Sequence, residues 1–488
     1  MKCSKIFSGD LPELTYKILK YFHNDYKTLY SCILVNRLWC RLAIPLLWED
    51  PFSKKFPKNC NFVEIFLHFL NDDDKTKLNE HEINYNLISS KNVLFNYPTF
   101  IKSLSTKTIV FSIDKWISTV ITSTTEIEPD DDSEEIHQVF LQFNCKSISS
   151  FYFHCPAYYD NDNVLTDKYL SQLINSQQNL QKILFGYYNN LPLYHSLLSL
   201  KSSNCSNTLT TIIFYCVDFK NVNILNEVFE QLNVLESIHL LCCNSLNDKF
   251  VQQIVNITKP FKLKTLILIN EISNNEPLEL LLQKSGDYLE NFGSFVRSCA
   301  SKLLELILKY CKNVKFLDLN IALSDNKNVN IFPMLNVIEN IQQNLNYLSI
   351  NTFNHQWNDI EIGSTILLNL GQILPFKLEY LNLKLFVNSG DFKVFLKNSE
   401  NTFIKKLLIC NMKYQTDDIL FLIKEYIMKK KRVEYLAVEN NFSYNPIIGC
   451  KDLSSLKDEV KEFKLYDIQV FRYDNLCIDV RNFIKEID

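Results

Sequence analysis

The chain has 488 residues, 47% of them hydrophobic, and a formal net charge of -4. That length exceeds one compact core of ordinary size, so several domains or a repeat array are expected, and the charge excludes the whole-protein basic field of a dedicated nucleic-acid binder. Only 8 glycines leave few phosphate-cradling loops, while 15 scattered cysteines without a C-x-x-C pair read as reduced, buried thiols of a cytoplasmic or nuclear protein.

Residues 1–9 read as a flexible N-terminus without the apolar core of a signal peptide. Asp10 to Phe52 then carries the most specific pattern in the chain. Leu11-Pro12-Glu13-Leu14 opens a helix with Pro where the first turn needs no N–H. Leu14, Ile18, Leu19 and Phe22 follow at helical spacing, and His23-Asn24-Asp25 breaks the run. A second helical run carries Leu29, Ile33 and Leu34, followed by Val35-Asn36-Arg37-Leu38-Trp39, and a third short piece spans Leu42 to Trp48. About 40 residues make too small a core to stand alone, so the apolar faces suggest a docking surface.

On Leu11-Pro12, Ile18-Leu19, Val35-x-Arg37-x-Trp39 and Leu47-Trp48, this stretch resembles the F-box, the motif by which substrate receptors of cullin-RING ubiquitin ligases bind a Skp-family adaptor. The resemblance implies adaptor contacts from Leu11, Pro12, Leu14, Ile18, Leu19, Val35 and Trp39, and through the adaptor a cullin.

Residues 53–145 read as a mainly helical linking region. Phe62, Ile65, Phe66 and Phe69 make a helical stripe, the clusters around Phe95 to Leu104 and Ile109 to Val120 suit further helices or a strand, and the acidic run 126–135 reads as a solvated loop. A further helix is expected over Glu134–Phe143.

From 146 to 470 one pattern recurs, apolar-x-x-apolar-x-apolar after an amphipathic run. Its anchors begin at Ile148/Phe151/Phe153 and Leu180/Ile183/Phe185, and end at Val433/Leu436/Val438 and Val460/Phe463/Leu465. The step is about 28 residues over 11–12 units, the length of a long leucine-rich repeat. Helices are expected between strands, for example at Val164–Asn175, Asp248–Asn256, Ser298–Cys311, Pro333–Leu345 and Asp417–Lys430. One unit carries a cysteine-type signature seen in F-box leucine-rich-repeat proteins, Leu235-x-x-Ile238-x-Leu240-x-x-Cys243-x-x-Leu246-Asn247-Asp248, and Asn441 fits the corresponding position of another. Residues 471–488 read as a C-terminal cap. The expected fold is α/β: a three-helix F-box and helical link, then a leucine-rich-repeat horseshoe with a parallel concave sheet and helices on its convex side.

The x positions of such strands face away from the helices. His239, Phe316, Asp318, Tyr347, Tyr380 and Tyr435 fall there and are the candidate substrate-binding residues, with the four aromatics expected to form a ladder. Lys429-Lys430-Lys431-Arg432 is expected to complement its own helix dipole. No phosphate-loop, dinucleotide, H-E-x-x-H or G-x-S-x-G motif occurs, and His23, His68 and His81 lack metal spacing with any Cys. No run approaches the ~18 apolar residues of a membrane span. The expected function is non-catalytic, with no cofactor or metal and no nucleic-acid or membrane partner: the substrate-recognition subunit of an SCF-type (Skp–cullin–F-box) ubiquitin ligase, binding an unknown protein. The alternative is a leucine-rich-repeat scaffold whose F-box directs no ubiquitin transfer.

Overall fold

The structure is a computed structural model. It describes residues 11–53, 60, 62–73, 75–76, 93–120, 145–154, 163–186, 193–268, 276–296, 301–322, 330–353, 360–412, 419–440 and 451–478. The N-terminal residues 1–9, the acidic run 126–135, the expected helix at Glu134–Phe143, and His81 and Asn441 lie outside the described residues. The chain forms two compact units, 1–237 and 238–488.

The first unit opens with three helices, α1 (Pro12–Lys20), α2 (Tyr26–Ile33) and α3 (Arg37–Leu47). Asp25 caps α2, accepting from the Thr28 N–H at 3.1 Å and hydroxyl at 2.6 Å, and these bonds hold its carboxyl below the usual range. Asn36 caps α3 by accepting from the Trp39 N–H at 2.9 Å, so the third helix starts five residues before the expected Leu42. A cap and a favourable first turn outweigh the missing apolar stripe there. Leu19, Leu29, Cys32, Ala43 and Leu46 close the core between the three, with Phe22, Trp39 and Leu42 packed against it.

Trp48 then leaves this core for a second one. Its ring meets Tyr97 at 4.3 Å and Phe66 of α4 (Phe62–Leu67) at 5.6 Å. The Glu49 carbonyl accepts from the N–H groups of Lys102 and Ser103, at 2.9 and 3.0 Å, and so leads the chain onto β1 (Ser103–Ser105). Thr106–Val120 is a helix, α5. The first sheet strand therefore lies inside the linking region, at the end of the Phe95–Leu104 stretch that suited a helix or a strand.

β2 (Ser150–His154), β3 (Lys182–Gly186) and β4 (Thr211–Tyr215) follow β1 in sequence order, every pair parallel. α6 (Asn163–Ser176) and α7 (Tyr194–Ser199) lie between them in sequence, and α8 (Ser203–Ser206) and α9 (Leu225–Gln231) flank β4. Phe151, Ile183 and Ile212 form one buried row in register, and Phe153, Phe185 and Phe214 the next. Stacking in register is what lets five-residue strands bury an apolar face.

The second unit repeats this plan. Its parallel strands are β5 (Ser237–Leu241, which straddles the boundary), β6 (Leu263–Leu268), β7 (Asn291–Val296), β8 (Phe316–Ala322), β9 (Tyr347–Phe353), β10 (Lys377–Leu385), β11 (Phe403–Asn411) and β12 (Tyr435–Asn440). Between them come α10 (Asp248–Val255), α11 (Glu276–Ser285), α12 (Ser301–Tyr310), α13 (Phe332–Ile341), α14 (Ile360–Ile373), α15 (Ser389–Asn398) and α16 (Ile419–Ile423, continuing as a wider turn through Met428). Phe292, Leu317, Leu348, Leu381, Leu407 and Leu436 make one continuous buried row. The α/β class and the parallel strand–helix alternation match the expectation.

The cysteine-type unit shows why its residues are what they are. Cys242 and Ser245 take positive φ (60° and 57°) as the chain leaves β5, which permits a tight turn. Buried Cys243 points its thiol at the Leu241 carbonyl, 3.6 Å away, and Asn247 accepts from the Lys249 and Phe250 N–H groups to start α10.

One expected unit is different. Val460 and Phe463 lie in a helix, α17 (Lys457–Lys464), while the short strand β13 (Lys451–Asp452) precedes it and β14 (Gln469–Val470) pairs with β12 after it. Acids in its first turn and lysines in its last favour helix over strand. After β14 comes one last turn, α18 (Tyr473–Leu476). Arg432 also departs from expectation. It is buried and donates to the carbonyls of Leu396, Ser399 and Thr402, closing the end of α15 rather than its own helix.

Candidate interaction surfaces

In the first unit, the core of the α1–α3 trio is complete without several of its largest apolar residues. Leu11 and Leu14 are 43% and 42% exposed, Leu34 73% and Val35 51%. Leu14 and Ile18, four apart, share one face of α1, and Pro12 and Ile18 are half-buried. Leu19 is placed differently from the adaptor-contact expectation: it is fully buried on the neighbouring stripe, beside Thr15, whose hydroxyl donates to the Leu11 carbonyl at 3.0 Å. Trp39 is half-buried against the trio's core. Leu19 and Trp39 therefore belong to the trio's core, while Leu11 and Leu14 on α1 and Leu34 and Val35 after α2 are left exposed. Tyr21 and Tyr30, also strongly exposed, lacked any motif signal.

In the second unit the candidate residues lie on the sheet face opposite the buried row of Phe292, Leu317, Leu348, Leu381, Leu407 and Leu436, in two rows. The first row, strand by strand from β5, is His239, Thr265, Asn291, Phe316, Tyr347, Tyr380, Lys406 and Tyr435. Phe316, Tyr347 and Tyr380 do form a ladder, with ring centroids 6.1 Å apart at each step. It is three rings long, not four. Lys406 stands between Tyr380 and Tyr435, and Tyr435 instead meets Phe471 at 6.0 Å. His239, Phe316 and Tyr380 are buried, which corrects their expected openness. His239 Nδ1 lies 2.8 Å from the Thr265 hydroxyl, which accepts from Asn291 at 2.9 Å, so the start of the row is a hydrogen-bonded chain.

The second row runs Gly293, Asp318, Ser349, Asn382, Leu408 and Ala437. Asp318 accepts from Asn320 at 3.1 Å and Asn351 at 3.3 Å. Asn351 also donates to Asn320 and Ser349, and Asn382 donates to Ser349 and Asn351. Burial pushes the Asp318 carboxyl up, opposed by the bonds from Ser349 and Asn320. The result is a connected polar array in which Ser349 and Asn382 are buried and Asp318, Asn320 and Asn351 half-buried, its members hydrogen-bonded to one another.

Past Asn382 the row turns apolar, and there residues 471–478 lie over it. Tyr380, Leu408, Cys410, Ala437 and Tyr473 form one buried cluster, with Tyr347, Leu476, Cys477 and Ile478 packed around it. The Tyr473 phenol donates to Asn382 Oδ1 at 2.7 Å, and the Ile478 N–H donates to the Tyr380 hydroxyl at 3.2 Å. Burial raises both phenols above their ordinary value, helped by Cys477 at Tyr380 and by Cys410 and Cys477 at Tyr473. Tyr473 was not among the expected site residues. Its signal was present nonetheless: Leu408 and Ala437 are apolar at positions that would otherwise face solvent.

Among the described residues, no group of three or more His, Cys, Asp or Glu is placed to hold a metal ion. None of their helices is long and apolar enough to cross a membrane. Comparison with models of known protein families gave no match, and a search of curated proteins gave none either.

Proposed function

We propose that the chain is the substrate-recognition subunit of an SCF-type ubiquitin ligase, docking on a Skp-family adaptor through its N-terminal helices and holding a target protein on the sheet face that carries Phe316, Asp318 and Tyr347. The observation that carries this reading is the helical trio with a satisfied core and an unspent apolar surface, Leu11, Leu14, Leu34 and Val35, on the stretch that resembles an F-box. Large apolar side chains left exposed on so small a helical unit favour an association site. The parallel strand–helix units support the leucine-rich-repeat half of the reading. Catalysis would be proximity: other subunits supply the charged enzyme, and this chain holds the target's lysine near it.

A second reading, a scaffold that directs no ubiquitin transfer, draws on the occupied end of the sheet face, where the chain's own segment covers Tyr380. Both readings predict adaptor capture. Co-purification with a Skp-family adaptor and its cullin should succeed for wild type and fail for Leu11→Ala/Pro12→Ala, and deletion of residues 11–48 should raise target abundance for a ligase receptor only. A wild-type chain that retains neither adaptor nor cullin would overturn both.

A further inference from the structure

We propose that residues 471–478 occupy the place of a partner segment, and that the Asp318–Asn382 face of β8–β12 takes a peptide whose tyrosine replaces Tyr473 on Asn382. The proposal rests on the reading that this face binds a target, and is independent of the adaptor.

Three observations carry it. The first is how the segment is held. Its backbone is tied by Phe471 N–H to the Leu436 carbonyl at 2.9 Å, by Tyr473 N–H to Asp452 Oδ2 at 3.0 Å, and by Ile478 N–H to the Tyr380 hydroxyl. Of its eight side chains only Tyr473 is buried, and Arg472, Asp474 and Asn475 are exposed. A stretch with one fully buried side chain, partly buried contacts from Phe471, Leu476, Cys477 and Ile478 and three backbone ties opens at lower cost than the strands beneath it.

The second is the surface itself. Beneath the segment it is apolar (Leu408, Ala437, Cys410), and beyond the segment it continues as the polar array of Asp318, Asn320, Ser349 and Asn351. The array passes hydrogen bonds from strand to strand and reaches Tyr473 through Asn382. The recognising surface is thus longer than the segment that lies on it. A bound peptide could run from the Asn382 position toward Asp318.

The third is the chemistry already displayed. A phenol is received by a side-chain amide inside an apolar pocket, and a backbone N–H by a second phenol. The side-chain amides and hydroxyls of the array offer donors and acceptors to a peptide laid across the strands, and tyrosine brings large contact area at small entropic cost.

The test uses the full-length chain and the synthetic peptide of residues 469–478. Hydrogen exchange of wild type should show the Phe471 and Ile478 amides exchanging at least tenfold faster than those of β10 and β11. The Tyr473→Ala chain should bind the added peptide at least tenfold more tightly than wild type does, and a peptide with Phe for Tyr473 should bind more weakly. Exchange of Phe471 and Ile478 at the same rate as β10 and β11 would identify a fixed cap and overturn the proposal, whatever the folding of the variant. A folded Tyr473→Ala chain that takes up no peptide would overturn it too. Adaptor capture is measured in parallel, so failure here is distinguishable from failure of the ligase reading.

Discussion

The Tyr473 phenol donates a 2.7 Å hydrogen bond to the side-chain oxygen of Asn382, 91 residues earlier in the chain, and both residues are buried. Tyr473→Phe leaves that oxygen unsatisfied and should cost about 1–2 kcal/mol, whereas Asn382→Leu strands the phenol and should cost about as much or more. The double variant should cost less than the sum, with a coupling on the order of 1 kcal/mol. Urea midpoints of the four full-length proteins check this.

The same contact sets an alkaline limit. Tyr380 and Tyr473 are buried as neutral phenols, so their folded-state values lie above the unfolded one. Above roughly pH 10 the unfolded chain releases protons that the folded chain keeps, and stability falls as pH rises. Unfolding midpoints between about pH 9 and 11 should drop more steeply for wild type than for Tyr473→Phe.

In the N-terminal trio, neighbouring leucines should separate binding from folding. Leu19→Ala removes a fully buried side chain and should cost about 2–5 kcal/mol. Leu14→Ala, at an exposed position, should stay within about 0.5 kcal/mol of wild type. Thermal unfolding of the two variants measures the difference.

Arg432→Met removes the cation that closes the end of α15 and leaves the Leu396, Ser399 and Thr402 carbonyls without that donor. The loss should be about 3 kcal/mol, given the strength of hydrogen bonds from charged donors. Urea denaturation provides the value.

Cysteine reactivity should follow burial. Desolvation pushes the Cys145 and Cys311 thiols up to about 12, so both stay protonated at pH 8 and should resist iodoacetamide in the native protein. Among the described cysteines, half-buried Cys40, Cys216 and Cys477 should be alkylated before these two, as peptide mass spectrometry would show.

Much of this architecture was legible in the residues. Phe151, Ile183 and Ile212 stand at matching points of a repeating pattern, and that repetition is itself the register of the buried row. What could not be read was anything decided between distant segments. Arg432 looked like the cap of its own helix because the carbonyls it serves lie some 30 residues earlier in sequence. Leu19 and Leu14 carry the same side chain, and only the packing of α1 on its neighbours decides which is buried. Tyr380 carried the pattern of an open strand position, yet its cover comes from Tyr473 and Ile478, near the other end of the unit. Local periodicity encodes which face a residue takes, but not what will come to lie on that face.

Direct titration of the purified full-length chain with a Skp-family adaptor tests the central claim most sharply, comparing wild type with Leu14→Asp and with a Tyr435→Ala control on the sheet. Wild type and control should bind with the same affinity. Leu14→Asp, equally folded, should lose at least a hundredfold, the size expected when a charge enters an interface hot spot. Undiminished binding by Leu14→Asp, or no binding by wild type, would contradict adaptor docking through the N-terminal helices.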